Sequence, residues 1–235
     1  MDKLYKSAKY YKDNLEGRSY LLVACKNRNY LVLEIAFTEY AYKHLVGLHK
    51  LTDTGLYNLS GKDIYMQILN KITTEEDIKK SDFYSDVKSR LDNFEKISIL
   101  LSSPETMKKS LYGSFGYGRG ISADYLLSQK TDDKFVHLFL KDKNDIVLPV
   151  TFFTEKTDFY LRNNTTNWNI VDIEELTEKD DAKRKAEIME LRAKLTMSTS
   201  RSFDEMREIV RGTVNTRTND AKLDTYTNDK DEHDD

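Results

Sequence analysis

In the first part of the chain, hydrophobic residues recur at the three- and four-residue spacing that is typical of helices. The pattern predicts a helix over residues 2–16, which Gly17 ends. Two further helices are predicted at about 61–72 and 82–102, and Pro104 stops the second of them. The apolar positions are Leu4, Ala8, Tyr11 and Leu15 in the first helix, and Phe83, Val87, Leu91, Phe94 and Ile97 in the last.

Strand patterns occur in two places. Residues 19–25 and 30–37 are apolar, β-rich runs on either side of a turn at 26–29, a pattern typical of a β-hairpin. After the glycine-rich stretch 113–120, turn sequences separate further apolar runs. The predicted strands there are about 122–130, 134–141, 146–154 and 168–174.

These elements indicate an α+β fold, with N-terminal helices and a β-hairpin followed by a mostly antiparallel sheet of four to five strands. We expect this domain to span residues 1–176. Residues 177–212 predict a charged helical extension with a narrow apolar stripe, and residues 213–235 a disordered polar and acidic tail. The stripe consists of Ile188, Leu191 and Leu195.

Composition and charge narrow the class of protein. No run approaches the ~20 apolar residues of a membrane span, and no apolar segment follows the N-terminus as in a secretory signal. Cys25 is the only cysteine, which excludes an intramolecular disulfide and favours a cytoplasmic protein. Residues 1–176 carry 25 basic and 25 acidic residues, and residues 177–235 carry 12 and 15. Any nucleic-acid site must therefore be local, in a pocket or cleft.

The segment 37–51 is the part of the chain richest in potential chemistry. On a continuous helix, Lys43, Gly47 and Lys50 lie on the same side. A glycine inside a helix lowers the stability of that helix by about 1 kcal/mol relative to alanine. Gly47 therefore indicates a close approach of the backbone or a turn. His44 lies next to this side of the helix, so these residues together are candidates for a functional site. The alternative is that His44 is an interior, hydrogen-bonded histidine and that the two lysines lie on the surface. On such a helix His49 lies about 140° from His44, which disfavours a shared metal ion, and we expect no metal site.

The strand around His137 alternates between two kinds of side chain. One face carries Val136, Leu138 and Leu140, and the other carries Phe135, His137 and Phe139. If helices cover the aliphatic face, the face with His137 forms the wall of a cleft. The alternative is a second buried face with a hydrogen-bonded histidine. In the glycine-rich stretch, Arg119 could contact a phosphate held by backbone N–H groups, but a flexible connection fits that stretch better, because no nucleotide-binding motif is complete.

Four segments, in a fixed order along the chain, together resemble a known protein family. They are 42–53 (Tyr-Lys-His-Leu-Val-Gly-Leu-His-Lys-Leu-Thr-Asp), 124–127 (Asp-Tyr-Leu-Leu), 136–140 (Val-His-Leu-Phe-Leu) and 149–153 (Pro-Val-Thr-Phe-Phe). Over roughly residues 1–176 the chain resembles the phage-type barnase/EndoU/colicin/RelE-like nuclease families, in particular the fourth. The resemblance implies a small α+β fold and a metal-independent ribonuclease of a phage or mobile element, without a cofactor.

The resemblance also implies site residues. The positions that match are His44, Tyr125, His137 and Thr151, flanked by Lys43 and Lys50. Histidines suit the proton steps of RNA cleavage because their pKa is about 6.5, so His44 and His137 become the expected acid/base pair. Lys43, Lys50 and Thr151 are expected to hold the phosphate, and Tyr125 to orient it or stack a base. The expected product is a 2′,3′-cyclic phosphate.

Alternative functions stay open at this point. The first is an endoribonuclease acting on RNA, with tRNA as one candidate, in the role of a toxin, phage effector or defence component. The second is a non-catalytic inhibitor or interaction protein on the same fold, which binds a protein of the host or of a rival defence system. The third is an accessory protein whose C-terminal helices pair with a partner or a second copy. The enzyme hypothesis requires His44 and His137 within roughly 10 Å across one open cleft.

Overall fold

The computed structural model describes residues 2–116, 120–131, 133–143, 146–162, 165–177, 180–196 and 202–212. The helices are α1 (Lys3–Asn14), α2 (Ala41–Leu45), α3 (Gly61–Leu69), α4 (Glu75–Ile78), α5 (Tyr84–Asn93), α6 (Ile97–Ser102), α7 (Phe159–Arg162), α8 (Asp181–Thr196) and α9 (residues 203–212). The strands are β1 (Ser19–Lys26), β2 (Asn29–Ala36), β3 (Thr106–Ser110), β4 (Ser114–Phe115), β5 (Ile121–Ser122), β6 (Tyr125–Lys130), β7 (Phe135–Lys143), β8 (Ile146–Glu155) and β9 (Thr165–Leu176). Arg119 and the predicted tail 213–235 lie outside the described residues.

The main sheet confirms the α+β class but is larger than predicted. Its seven strands follow the order β1-β2-β8-β7-β6-β3-β9, and β9 pairs back with β1 to close it. All pairs are antiparallel except β2 with β8, where Glu34 lies opposite Ile146 and Ile35 opposite Val147. The prediction of four to five strands was wrong because the N-terminal hairpin belongs to the same sheet and β3 was not predicted.

The hairpin itself forms as expected. Lys26 pairs with Asn29, so Asn27 and Arg28 make a two-residue turn in which both residues have positive φ, 49° and 64°. This left-handed pair matches the twist of the adjoining strands, and asparagine tolerates it well. The predicted turn at 26–29 is confirmed.

One face of the sheet packs on the helices and forms the main core. The aliphatic residues of β7, Val136, Leu138 and Leu140, lie in this core, as the alternation predicted. The helix predicted at 82–102 is divided into α5 and α6 by a 3₁₀ helix at Phe94–Lys96, and the buried Phe94 ring meets Phe152 of β8 edge-on at 5.8 Å. This packing holds α5 against β8.

The C-terminal helices cover another surface of the sheet. The predicted stripe on α8 is buried against apolar residues of β1, β2 and β9, and α9 adds two side chains to the same cluster. These residues are Leu21, Val23, Val32, Val171, Leu176, Ile188, Leu191, Leu195, Met206 and Val210. The part of the chain where a helical extension was predicted thus contains two helices, α8 and α9, and both pack on the sheet.

Candidate active site

A cleft of about 600 Å³ opens between α5 and β8. Residues of α5 and of the 3₁₀ helix Leu48–Lys50 form one wall, and residues of β5, β8 and α7 form the other. The polar lining includes His49, Lys50, Ser89, Arg90, Thr151 and Tyr160. Two predicted site residues, Lys50 and Thr151, thus lie in one cleft, together with residues that the sequence analysis did not select.

Arg90 is a buried cation of this cleft. Only 5% of the residue is exposed, and its Nη1 donates a hydrogen bond to Thr151 Oγ1 at 2.7 Å. The same nitrogen lies 3.4 Å from the carbonyl oxygens of His44 and Leu45, and the guanidinium sits 5.5 Å from the centre of the Phe153 ring. These are all neutral groups, and within the described part of the chain no carboxylate pairs with this guanidinium. Burial lowers the pKa of Arg90 to about 10, so it is charged at neutral pH.

Gly47 makes room for Arg90. It has a φ of +83°, and a Cβ atom built there would lie 3.0 Å from both Cδ and Nε of Arg90. Both readings of this glycine, a turn and a close approach, are therefore confirmed. The continuous helix expected through Gly47 was wrong, because α2 ends at Leu45 and a separate 3₁₀ helix begins at Leu48.

The break at Gly47 also brings two histidines together. The ring centres of His44 and His49 are 4.8 Å apart, with an angle of 34° between the ring planes. The expectation that they point about 140° apart was wrong because it assumed an unbroken helix. His44 is exposed, whereas His49 is partly buried and lines the cleft.

The surroundings of His49 keep its ring neutral. Burial is the main reason that its pKa is lowered to about 4, and the charges of His44 and Arg90 act in the same direction. The backbone of Lys43 offsets a small part of this effect. The pKa of His44 is also lowered, first by burial and then by the charge of Lys43. At neutral pH, His49 is therefore an uncharged imidazole that can accept a proton, and its low pKa makes it a weaker base than an ordinary histidine.

A β-bulge positions the opposite wall. Phe139 of β7 lies opposite Thr151, and the next residue, Leu140, lies opposite Pro149, so Val150 is an additional residue in β8. Bulges redirect side chains and are frequent next to active sites. Here Val150 and Thr151 both line the cleft.

His137 does not lie in an open cleft. It is completely buried, stacked on Phe135 at 6.1 Å and close to the edges of Phe153 and Tyr160. Its Nε2 lies 3.0 Å from Oε1 of Glu155. The expected arrangement of His44 and His137 across one open cleft is therefore absent, so the requirement stated for this acid/base pair is not met and a mechanism that uses the pair is abandoned. The structure agrees with the alternative given for this strand, a second buried face with a hydrogen-bonded histidine.

Lys43 and Tyr125 are also held by the interior. The Lys43 ammonium donates to the carbonyl oxygens of Tyr57 at 2.9 Å and Leu59 at 2.6 Å. Tyr125 packs in the main core, where burial raises its pKa to about 12. Neither residue lines the cleft. Among the residues that the structure describes, no group of three or more His, Cys, Asp and Glu side chains could hold a metal ion.

Gly47 provides a first test of this geometry. We expect Gly47→Ala to lower the free energy of unfolding by about 1–2 kcal/mol, because alanine is strained at this positive φ and its methyl group presses on Arg90. Chemical denaturation measures the change. Gly55→Ala is the control, since a Cβ atom there has no neighbour within 4 Å. Equal stability of the two variants would contradict the role of Gly47.

The cleft thus combines a buried arginine, which contacts no carboxylate of the described residues, with imidazoles whose pKa is lowered. The chain belongs to the phage-Barnase-EndoU-ColicinE5/D-RelE like nuclease4 family, whose model matches residues 3–195. This confirms the resemblance and extends it beyond residue 176 to include almost all of α8. No curated protein and no solved structure matches the chain. No helix in the described ranges is long and apolar enough to cross a membrane.

Proposed function

We propose that the chain is a metal-independent endoribonuclease whose active site is the cleft containing Arg90 and His49. The observation that carries this proposal is the set of contacts around Arg90, a buried cation whose hydrogen-bond partners are neutral. Asp86 lines the same cleft and its charge acts on Arg90, but the two make no direct ion pair. Burying a charge without a contacting counterion is costly, so such a group is expected where an anionic ligand completes it. A phosphodiester is the anion that a nuclease family handles.

The phosphate would be held by three groups of the cleft. Arg90 supplies a fixed charge in a partly dehydrated position, where electrostatic interactions are stronger than in water. Lys50, now 3.3 Å from the Asp86 carboxylate, supplies a second cation at the cleft wall. Thr151 adds a hydroxyl donor. These groups stabilise the additional negative charge that develops on the phosphorus oxygens in the transition state.

The proton steps would use His49 and Tyr160. Neutral His49 takes the proton of the ribose 2′-OH, and the 2′-oxygen forms a bond to phosphorus. As the bond from phosphorus to the 5′-oxygen breaks, the Tyr160 hydroxyl donates its proton to the leaving oxygen. The products are a 2′,3′-cyclic phosphate and a 5′-hydroxyl end. The cyclic product is the one that the sequence analysis expected, but His49 replaces the pair of His44 and His137.

RNA cleavage by the purified full chain in EDTA tests the proposal. We expect cleavage of a single-stranded RNA to 2′,3′-cyclic phosphate ends, and no cleavage of DNA of the same sequence because DNA lacks the 2′-OH. His49→Gln should lower the rate by about 10²–10⁴-fold, the usual contribution of a general base. Tyr160→Phe should also slow cleavage, whereas Tyr112→Phe, at a side chain that is 76% exposed, should not.

Two outcomes would contradict the proposal. RNA that remains intact with wild-type protein would favour a binding protein on the same fold, the second of the functions considered above. Cleavage that stops in EDTA and returns with Mg²⁺ would contradict the metal-independent mechanism.

A further inference from the structure

His44 lies against the proposed base without lining the cleft itself. Its ring contacts the His49 ring at 4.8 Å, and only His49 reaches the cleft wall. The proposed proton transfer by His49 leaves this exposed imidazole without a part in the reaction. The contact depends on the turn at Gly47, so the fold brings together two groups that the helix pattern kept apart.

We propose that His44 is a positioning residue for His49: it takes up the first proton of the pair and thereby keeps His49 uncharged in mildly acidic solution. This inference rests on the proposed function for its consequence in catalysis. The geometry supports it because two imidazolium ions at this distance, in a partly buried place, repel each other strongly. The more exposed ring is the better hydrated one, and it therefore takes the proton first.

The positively charged groups near the pair favour its uncharged form. Arg90 and Lys50 face His49, and Lys43 acts on His44. The nearby carboxylate, Asp86, lies 3.3 Å from the Lys50 ammonium and acts on Arg90. The charge of His44 lowers the pKa of His49, whereas the pKa of His44 is lowered by burial and Lys43. The charge of His44 therefore acts on His49, which agrees with His44 taking up the first proton of the pair.

Two substitutions of the exposed His44 separate the effect of its charge on His49 from the effect of its packing. His44→Gln removes the titrating group, and His44→Lys replaces it with a permanent cation. We expect the pKa of His49 to rise by about one unit in His44→Gln, because one neighbouring positive charge is lost, and to stay near its wild-type value in His44→Lys. The measurement is an NMR pH titration of the His49 ring protons in the full chain, assigned with His49→Gln.

The kinetic counterpart is the acid limb of the kcat/KM profile. In His44→Gln this limb should move to higher pH, so that kcat/KM falls about twofold at pH 5 and about fivefold at pH 4, while kcat/KM at pH 8 is unchanged. An unchanged His49 titration in His44→Gln, or equal shifts in the Gln and Lys variants, would overturn the inference. The titration needs no RNA, so a failure to cleave RNA would contradict the proposed function alone.

Discussion

Replacing Arg90 with methionine is expected to lower kcat/KM for RNA by about 10²–10³-fold, which is the usual cost of removing one transition-state donor. Methionine keeps most of the length and the apolar character of the buried methylene chain of Arg90, but it removes the positively charged guanidinium from the cleft. Lys88→Met is the matched control: it removes a lysine from the same helix, at an exposed position outside the cleft lining, where the ammonium lies 3.6 Å from Asp92. We expect this control to stay within about twofold of wild type, since exposed ion pairs contribute little.

The stability of the same variant tells whether Arg90 serves folding or ligand binding. Arg90→Met removes a hydrogen bond to Thr151, worth about 1 kcal/mol, but it also removes a buried charge without a counterion. The two effects oppose each other, so we expect the melting temperature to change little. A variant that unfolds, or one that retains wild-type activity, would contradict the role of Arg90 as the anion-binding group.

The second large effect is expected at the ion pair between the sheet and α8. Glu34 of β2 is 2% exposed, and its Oε1 lies 2.8 Å from Nε of Arg184. Glu34→Ala removes the buried charge opposite Arg184, and breaking a pair of this kind costs about 3–5 kcal/mol. Urea denaturation should show this loss in the free energy of unfolding.

An exposed pair on the same helix serves as the control. Glu190 lies 2.7 Å from Lys194 one turn away, and both side chains are largely exposed. Glu190→Ala should therefore cost no more than about 0.5 kcal/mol. Similar losses in Glu34→Ala and Glu190→Ala would mean that α8 does not depend on its contact with β2.

Much of the fold could be predicted because its signals are local. The period of α1, the turn at 26–29 and the stripe on α8 each lie within one short segment. By contrast, β3 has the sequence Thr-Met-Lys-Lys-Ser, in which Met107 is the one hydrophobic side chain, so it lacks the apolar pattern of a strand. The pairing of β2 with β8 joins residues more than a hundred positions apart, which no local pattern indicates.

The candidate site was only partly predicted, although the sequence contains two signals for it. Arg90 stands three residues after Val87 and four before Phe94, so a charged residue lies in the apolar stripe of the predicted helix. Pro149 lies inside a predicted strand, where proline indicates a bulge or an edge. The burial of His137 could not be predicted for a different reason: alternation along β7 separates two faces but does not say which of them other elements cover.

The closed sheet restricts how another protein could bind this chain. Exposed strand edges accept an additional strand through backbone hydrogen bonds, which is a common route to peptide recognition and to aggregation. Here β9 pairs with β1, so neither strand has a free edge at this seam. In β2, the carbonyl oxygen of Val32 lies just before the short pairing with β8 and accepts a hydrogen bond from Arg192 of α8. Among the described residues β2 and β8 pair over only two positions, so an added strand is restricted to the parts of these two strands that lie outside their pairing.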